Sequence, residues 1–156
     1  MMKLYLAQHG EACRKEENPD RPLTEKGKSD VIKIGSFLKN CNTKIERILH
    51  SGKLRARQTA ESIAEMIKTD AQLESSGIIN PDDDPRAFAW QDDSWDRDML
   101  VVGHLPFLNK LVSHLLIDNV DKTLITFRPG SVICLNCDDN KIWSVEWMIK
   151  PDLLIN

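Results

Sequence analysis

Residues 4–12, LYLAQHGEA, join a short apolar run to a polar turn that contains one histidine. The apolar run favours a short interior β-strand that stops at Gln8, His9 and Gly10. In open α/β sheets, ligands bind in the crevice outside the carboxyl ends of the strands. The position of His9 therefore makes it the first candidate functional residue of the chain.

Strand-like and helix-like segments alternate in the sequence that follows. Thr24 offers a side-chain oxygen for a helix N-terminus, and the apolar spacing after it predicts a helix over residues 24–39. Two further strand-like runs each precede a stretch of helical periodicity. These predicted pairs are IERILHS (45–51) with 53–68, and MLVVGH (99–104) with 105–116.

Two later regions depart from this alternation. Residues 71–98 are rich in turn formers and contain one short helix-like segment, RAFAWQ (86–91). The runs SVICLNC (131–137) and KIWSVEWMI (141–149) favour a terminal antiparallel hairpin. The whole pattern predicts a single α/β domain over residues 1–156, with α/β/α layers, a mostly parallel central sheet and an antiparallel C-terminal hairpin.

Two residue pairs in the predicted hairpin are candidates for a metal site or for an exposed binding surface. Cys134 and Cys137 form a C-x-x-C pair, but no second pair completes a zinc site, so we interpret both as buried thiols. Trp143 and Trp147 are four positions apart and are predicted to face the same side of the last strand, where burial is the ordinary explanation. We therefore expect no metal site and no cofactor.

The composition is typical of an ordinary globular protein. The chain has 156 residues, of which 41% are apolar and 29% charged, and this length can bury a substantial core. Its net charge of −3 lacks the cationic excess of a nucleic-acid binder. No apolar stretch reaches the roughly 20 residues that span a bilayer, and the N-terminus lacks a signal-peptide pattern. We expect a cytoplasmic protein that binds neither nucleic acid nor membrane.

Three predicted strand ends carry reactive groups. His9 follows the first strand, Arg55 lies at the start of the helix after the second, and His104 follows the third. This set suits a phosphoryl group better than a metal, because no carboxylate or cysteine lies at ligand spacing beside either histidine. A guanidinium can bind phosphate through paired hydrogen bonds, a neutral histidine can attack phosphorus, and a protonated one can stabilise the transition state. This division of labour requires opposite protonation states for the two histidines.

Four segments also resemble, in the right order, the motifs of the histidine phosphatase superfamily, which includes cofactor-dependent phosphoglycerate mutases. LYLAQHGEA resembles its RHG signature, RPLTEKG its LTxxG segment, HSGKLRARQTA its S-x-x-x-R-A-x-Q-T segment, and VVGHLP its second-histidine motif. The short chain is most similar to the small SixA-like phosphohistidine phosphatases. The resemblance implies a phosphoglycerate-mutase-like fold and three catalytic residues: His9 as the nucleophile, Arg55 as a phosphate clamp and His104 as the charge-stabilising histidine. It also implies that the Leu105 N–H reaches the phosphate.

The sequence departs from the RHG signature at Gln8, where the family usually has arginine. An amide has two N–H donors and no charge, so the lost charge-assisted contact is expected to weaken the transition state by about 1.5–3 kcal/mol. Arg21, in the loop before the first helix, is the predicted replacement. Arg57 is a poorer candidate, because it lies two positions after Arg55 and points away from it on a helix. Gln8 and Arg21 are thus predicted substrate-binding residues, together with Leu105.

The acidic residues after the second helix have no assignable role as a general acid: Glu74, Asp82, Asp83 and Asp84. A phosphoramidate nitrogen that is already protonated leaves more readily than an alkoxide, which favours phosphohistidine over sugar phosphates as the substrate. The leading prediction is a metal-independent phosphatase that dephosphorylates a protein histidine through a phosphoenzyme on His9. Two alternatives stay open: a phosphomonoesterase for small phosphorylated metabolites, and a non-catalytic phosphate-recognition module in which Gln8 marks lost turnover.

Overall fold

The computed structural model of the protein describes residues 1–91 and 96–155. Its strands are β1 (Met2–Gln8), β2 (Arg47–His50), β3 (Leu73–Ser75), β4 (Met99–Gly103), β5 (Val132–Cys137) and β6 (Trp143–Ile149). Its helices are α1 (Glu25–Asn40), α2 (Leu54–Ile67), α3 (Pro85–Gln91) and α4 (Phe107–Ile117), followed by a 3₁₀ turn at Pro151–Leu153. The predicted strand–helix pairs, the short helix near residue 86 and the terminal hairpin are all confirmed.

The strands form one sheet in the order β3-β2-β4-β1-β5-β6. β1, β2, β3 and β4 pair in parallel, and β5 runs antiparallel to both β1 and β6. Alternate residues of β1 point to opposite faces: Leu4 and Leu6 pack in the core beneath α3 and α4, and Tyr5 and Ala7 pack in the core beneath α1 and α2. The protein therefore has the predicted α/β/α layers and mostly parallel sheet.

The strand β3 is absent from the sequence prediction. It has three residues at the edge of the sheet, and Glu74 and Ser75 on it are exposed. Its pairing with β2 uses backbone hydrogen bonds in the register Ile48 with Leu73 and His50 with Ser75. Such a strand leaves almost no hydrophobic pattern in the sequence, because little of its side-chain surface is buried.

The predicted orientation of the two tryptophans is wrong. A β-bulge shifts the register between β5 and β6 beside Cys134. Trp147 consequently packs against the core under α1 and α2, within 5.4 Å of the Phe37 ring centroid, whereas Trp143 packs against the opposite core. An extra residue in one strand moves every side chain beyond it to the opposite face of the sheet. The four-residue spacing of the two tryptophans therefore predicted the wrong face for one of them.

The two cysteines of the C-x-x-C pair also face opposite sides of the sheet. Cys134 lies in the core under α1 and α2, and Cys137 lies in the core under α3 and α4, both buried. Residues three apart on a strand project in opposite directions. They are buried thiols, as predicted.

The turn after β1 is held against the first turn of α1. Thr24 caps this helix by accepting the N–H of Gly27 at 3.0 Å, as predicted, and its own N–H donates to the Glu11 carbonyl at 2.9 Å. A Cβ at Gly27 would lie only 2.1 Å from that carbonyl oxygen. The glycine therefore permits the close approach that fixes the chain just beyond His9.

A second contact supports the carboxyl end of β1 from the other side. The N–H of Gly130 lies 3.1 Å from the carbonyl oxygens of both Gln8 and His9. Gly130 has a φ of +84°, and a Cβ there would lie 2.8 Å from Cγ of Pro151. The loop before β5 can thus reach β1 only with glycine at this position. In the part of the chain described, no helix is long and apolar enough to cross a membrane.

Candidate active site

The register of the parallel sheet brings His9 and His104 side by side. Gln8 is opposite Gly103 in the ladder between β1 and β4, and each histidine is the next residue along its chain. The His9 N–H donates to the Gly103 carbonyl at 3.1 Å. The two imidazole centroids are 5.0 Å apart, with the ring planes tilted by 52°. Both rings therefore lie at the carboxyl edge of the sheet, in the position typical of ligand sites.

The tautomer of His9 follows from its backbone contact. Its Nδ1 lies 2.7 Å from the carbonyl oxygen of Gly10, which can only accept a hydrogen bond. Nδ1 therefore carries the proton and donates, and Nε2 keeps its lone pair. The turn itself is anchored on α2, because the Gly10 N–H donates to Thr59 Oγ1 at 3.0 Å and this hydroxyl donates to the Arg55 carbonyl at 2.8 Å.

The pKa of His9 is lowered to about 4, mainly by burial. Within this net change, the hydrogen bond to Gly10 raises the pKa, and the charges of Arg55 and Arg21 lower it. His9 is thus neutral at pH 7, because its charged form is poorly solvated and faces two cations. A neutral imidazole with a free Nε2 lone pair is the form that can attack phosphorus.

His104 is the more enclosed of the two rings, with only 2% of its surface exposed. Its pKa is lowered to about 3, mainly by burial and in part by the charges of His9, Arg55 and Lys53. With the protein's own charges alone, both imidazoles are neutral at pH 7. The opposite protonation states predicted for His9 and His104 therefore do not arise from these charges. A phosphoryl group between them adds negative charge, and negative charge raises the pKa of a neighbouring imidazole.

Each nitrogen of His104 has a different environment. Nε2 lies 2.6 Å from Ser51 Oγ, in the turn that follows β2. Nδ1 is buried and has no hydrogen-bond partner within residues 1–91 and 96–155. The His104 ring is therefore held at Nε2 by Ser51, and its Nδ1 is available for a further hydrogen bond.

Arg55 and Arg21 are cations whose charges act on both imidazoles. Arg55 is in the first turn of α2, and its Nε is buried with no partner in the described part of the chain. Arg21 has a left-handed backbone conformation, with φ of 49°, and its Nε donates to the Cys13 carbonyl at 3.0 Å. The positive charges of both guanidinium groups lower the pKa of His9 and of His104.

Arg57 lies outside this cluster. It is exposed and forms an ion pair with Glu61, one turn further along α2, at 3.5 Å. Its direction agrees with the expectation from helical geometry.

Gln8 and Leu105 are the other predicted substrate-binding residues. The Gln8 side chain leaves β1 on the same face as Leu6, which α4 covers, and its Oε1 is buried with no hydrogen-bond partner among the residues described. The Leu105 side chain packs against the core on that face. Both residues adjoin a histidine of the pair, and their contact with substrate stays a prediction.

The acidic residues considered as general acids have other partners or lie in solvent. Glu74 pairs with Arg47 at 3.4 Å, and Asp82 is exposed. Asp83 Oδ2 accepts the N–H of Asn80 at 2.7 Å, and Asp84 Oδ1 accepts two hydrogen bonds from Arg86. Within the described ranges, no carboxylate is hydrogen-bonded to either imidazole, and no group of three or more His, Cys, Asp and Glu side chains could hold a metal ion.

Ser51 and Thr59 contribute to the site although neither was a predicted site residue. Both lie in the HSGKLRARQTA segment, on either side of Arg55. Ser51 directly follows β2, so the rule that drew attention to His9 and His104 could have found it. Thr59 is one helical turn after Arg55, which places it on the same face of α2.

Paired imidazoles and guanidinium groups at the carboxyl edge of parallel strands can bind a phosphoryl group chemically. The family model of the histidine phosphatase superfamily (branch 1) matches residues 4–76. The phosphohistidine phosphatase SixA of Escherichia coli (strain K12) is 24% identical, with 96% of this chain and 94% of that protein covered.

Solved structures with the same fold are similar over nearly the whole chain. The protein histidine phosphatase SixA complexed with tungstate has a TM-score of 0.84 and 25% identity, covering 97% of this chain and 99% of that one. A phosphoglycerate mutase from Plasmodium falciparum has a TM-score of 0.71 and 22% identity, covering 94% and 89%. The chain is thus similar to the histidine phosphatase superfamily over residues 4–76 and to SixA over nearly its whole length, and these similarities support a phosphatase activity.

Proposed function

We propose that the protein is a phosphohistidine phosphatase that works through a phosphoenzyme on His9. The observation that carries the proposal is the pair of neutral imidazoles, with centroids 5.0 Å apart, beside the charges of Arg55 and Arg21. Nε2 of His9 has a free lone pair because Nδ1 is engaged by Gly10. This arrangement offers one nucleophile and several groups that can neutralise a phosphoryl group.

The first step forms a bond between His9 Nε2 and phosphorus and breaks the phosphorus–nitrogen bond of the substrate. The departing imidazole keeps the proton that its other nitrogen carries and takes the electron pair of the broken bond. Arg55 and Arg21 bind the non-bridging oxygens, whose charge is spread in the transition state. His104, protonated once the phosphoryl group is bound, donates to one of these oxygens.

The second step restores the enzyme. Water attacks the phosphorus of phosphorylated His9, the bond from phosphorus to Nε2 breaks, and that nitrogen recovers its lone pair. The oxygen of water and its protons leave with inorganic phosphate. No metal is needed in either step, since the cationic side chains supply the electrostatic stabilisation.

The choice of phosphohistidine rests on the leaving group. An alcohol departs as an alkoxide unless an acid protonates it, whereas an imidazole departs readily as a neutral ring. No carboxylate in the described part of the chain contacts either imidazole, which favours the nitrogen leaving group. The similarity to SixA of Escherichia coli points in the same direction.

The proposal is tested by trapping the phosphoenzyme. The protein is incubated with a ³²P-labelled phosphohistidine protein, quenched in alkali and digested, and the labelled peptide is identified. We expect alkali-stable, acid-labile label on the peptide that contains His9, none in His9→Gln, and normal labelling in the matched variant His50→Gln. Absence of label in the wild-type protein, together with unchanged binding of phosphate by His9→Gln, would identify a non-catalytic phosphate-binding module instead.

A second assay tests the substrate class. Turnover of a phosphohistidine peptide and of a sugar phosphate is measured side by side with the same protein preparation. We expect a higher kcat/KM for the phosphohistidine peptide. Equal or faster hydrolysis of the sugar phosphate would replace the proposal with a phosphomonoesterase.

A further inference from the structure

Ser51 occupies a position that links two strand ends of the site. It follows β2 directly, and its Oγ lies 2.6 Å from Nε2 of His104, which follows β4. The hydroxyl also lies 3.4 Å from the N–H of Lys53, at the start of α2. Ser51 is half-buried, so this hydrogen bond is partly shielded from water.

The surroundings of His104 determine which nitrogen carries its proton. A neutral imidazole has one N–H, and a buried N–H without an acceptor is a rare and costly arrangement. Nδ1 has no partner in the described part of the chain, whereas Nε2 has the serine oxygen within hydrogen-bond distance. The N–H therefore belongs on Nε2, where it donates to Ser51, and Nδ1 keeps its lone pair.

We propose that Ser51 is a positioning residue for phosphoryl transfer: by accepting the Nε2 proton it fixes the tautomer of His104 and reserves Nδ1 for the proton that faces the bound phosphoryl group. The inference rests on the proposed function, since it concerns how His104 performs its part. With both nitrogens protonated, Nε2–H donates to Ser51 and Nδ1–H donates to a phosphoryl oxygen, so neither donor of the imidazolium is left unsatisfied.

The charges around His104 explain why it needs this support. The ring faces His9, and the cations Arg55, Lys53 and Arg21 all disfavour a second proton on it. A serine oxygen that accepts a hydrogen bond stabilises the imidazolium more than the neutral ring, because charge-assisted hydrogen bonds are the stronger ones. Removal of this oxygen is therefore expected to make the protonation of His104 less favourable. It should also allow the neutral ring to adopt either tautomer.

The first test is spectroscopic and does not depend on turnover. Long-range ¹H–¹⁵N spectra of the protein at pH 7 report which imidazole nitrogen of each histidine carries the proton. We expect a single Nε2–H tautomer of His104 in the wild-type protein and in Ser51→Thr, and a mixture of tautomers in Ser51→Ala. An Nδ1–H tautomer in the wild-type protein, or an unchanged tautomer in Ser51→Ala, would refute the inference.

The second test is kinetic. The rate of phosphoenzyme formation from phosphoramidate is measured between pH 5 and pH 8 for the same variants. We expect Ser51→Ala to slow the reaction by about ten- to a hundredfold, with the loss smallest at low pH, and Ser51→Thr to retain most of the rate. The matched control is Ser75→Ala, which removes a serine from the end of the neighbouring strand β3.

The two tests separate this inference from the proposed function. Loss of the tautomer preference in Ser51→Ala without any phosphoenzyme in the wild-type protein would support the control of the His104 tautomer by Ser51 but reject the enzyme, and with it the part of Ser51 in phosphoryl transfer. Normal phosphoenzyme formation in both the wild-type protein and Ser51→Ala would reject the role of Ser51 and support the enzyme. If thermal unfolding shows that Ser51→Ala does not fold, Ser51→Cys replaces it: a thiol is a weak hydrogen-bond acceptor, so we expect slower phosphoenzyme formation and mixed tautomers, and a wild-type rate and tautomer in folded Ser51→Cys would refute the inference.

Discussion

One buried histidine ends β2 and another directly follows β4, yet only the second joins the candidate site. His50 is opposite Val102 in the parallel ladder, so it is still part of the sheet. Its Nδ1 accepts the N–H of Gly52 at 3.0 Å, and the charges that act on it are those of Arg57 and Glu61. His50 therefore shapes the turn that leads into α2.

His104 lies two residues further along β4 than the partner of His50. This shift takes it beyond the ladder and into the row of His9, where Ser51 and the guanidinium groups surround it. A histidine at a strand end therefore enters the candidate site through its row in the register. Residue type and burial are the same at both positions.

The largest effect should separate the nucleophile from the structural histidine. We expect His9→Gln to reduce dephosphorylation by roughly 10⁴-fold or more, because the proposed covalent intermediate forms on His9. His50→Gln should retain the activity within about tenfold, since an amide oxygen can still accept the Gly52 N–H. The measurement is single-turnover hydrolysis of a phosphohistidine peptide, and comparable losses in the two variants would contradict the comparison.

The next effect concerns His104. His104→Gln removes a charge that forms opposite the transition state, and we expect kcat to fall by about 10²- to 10³-fold. The phosphoenzyme should still form slowly, since His9 is intact. Rapid-quench measurement of the labelled intermediate checks this, and a loss no greater than that of His50→Gln would place His104 outside the chemistry.

A smaller effect should distinguish the arginines. Arg21→Gln removes a charge near both imidazoles, and we expect kcat/KM to fall by about ten- to a hundredfold. The matched control Arg57→Gln removes an exposed charge that pairs with Glu61, and its activity should stay within about twofold. Steady-state kinetics on the phosphohistidine peptide decide between them.

The substitution Gln8→Arg tests the departure from the RHG signature directly. If Arg21 substitutes for the missing charge, Gln8→Arg should recover most of the activity lost in Arg21→Gln. The double variant is compared with both single variants in one cycle. Additive effects would show that Arg21 and position 8 act on the phosphoryl group independently.

The smallest effect is on stability. The pKa of His104 is about 3 in the folded protein, against an ordinary value of 6.5, so the unfolded chain binds more protons between these values. The free energy of unfolding should therefore fall as the pH decreases below about 6.5, by about 2 kcal/mol from this group at pH 5. Urea unfolding at pH 7 and pH 5 should show a smaller decrease for His104→Gln than for the wild-type protein.

Most of the fold could be predicted from the sequence because its strands and helices have strong local patterns. The strand that ends at His9 and the helix capped by Thr24 lie where the sequence predicts them. The edge strand β3 escaped prediction because its exposed side chains carry no hydrophobic pattern. The orientation of Trp143 and Trp147 was wrong because the bulge between β5 and β6 depends on how two strands pair, which no local pattern records.

The candidate site was predicted in part for the same reason. The positions of His9, Arg55 and His104 after strands are local facts of the sequence. Ser51 also directly follows a strand, but only its distance to His104 on another strand shows what it contributes.

The sequence by itself determined the order of the elements, the apolar faces that form the two cores, and the reactive residue types that follow the strands. Only the tertiary structure decided the parallel register, and with it which of the three strand-end histidines face one another. It also decided that both facing imidazoles are neutral, because their pKa values depend on burial and on charges from distant parts of the chain. The physical reason is that hydrophobic periodicity and helix caps act between neighbours in the chain, whereas register, desolvation and electrostatic contacts act between residues that folding brings together.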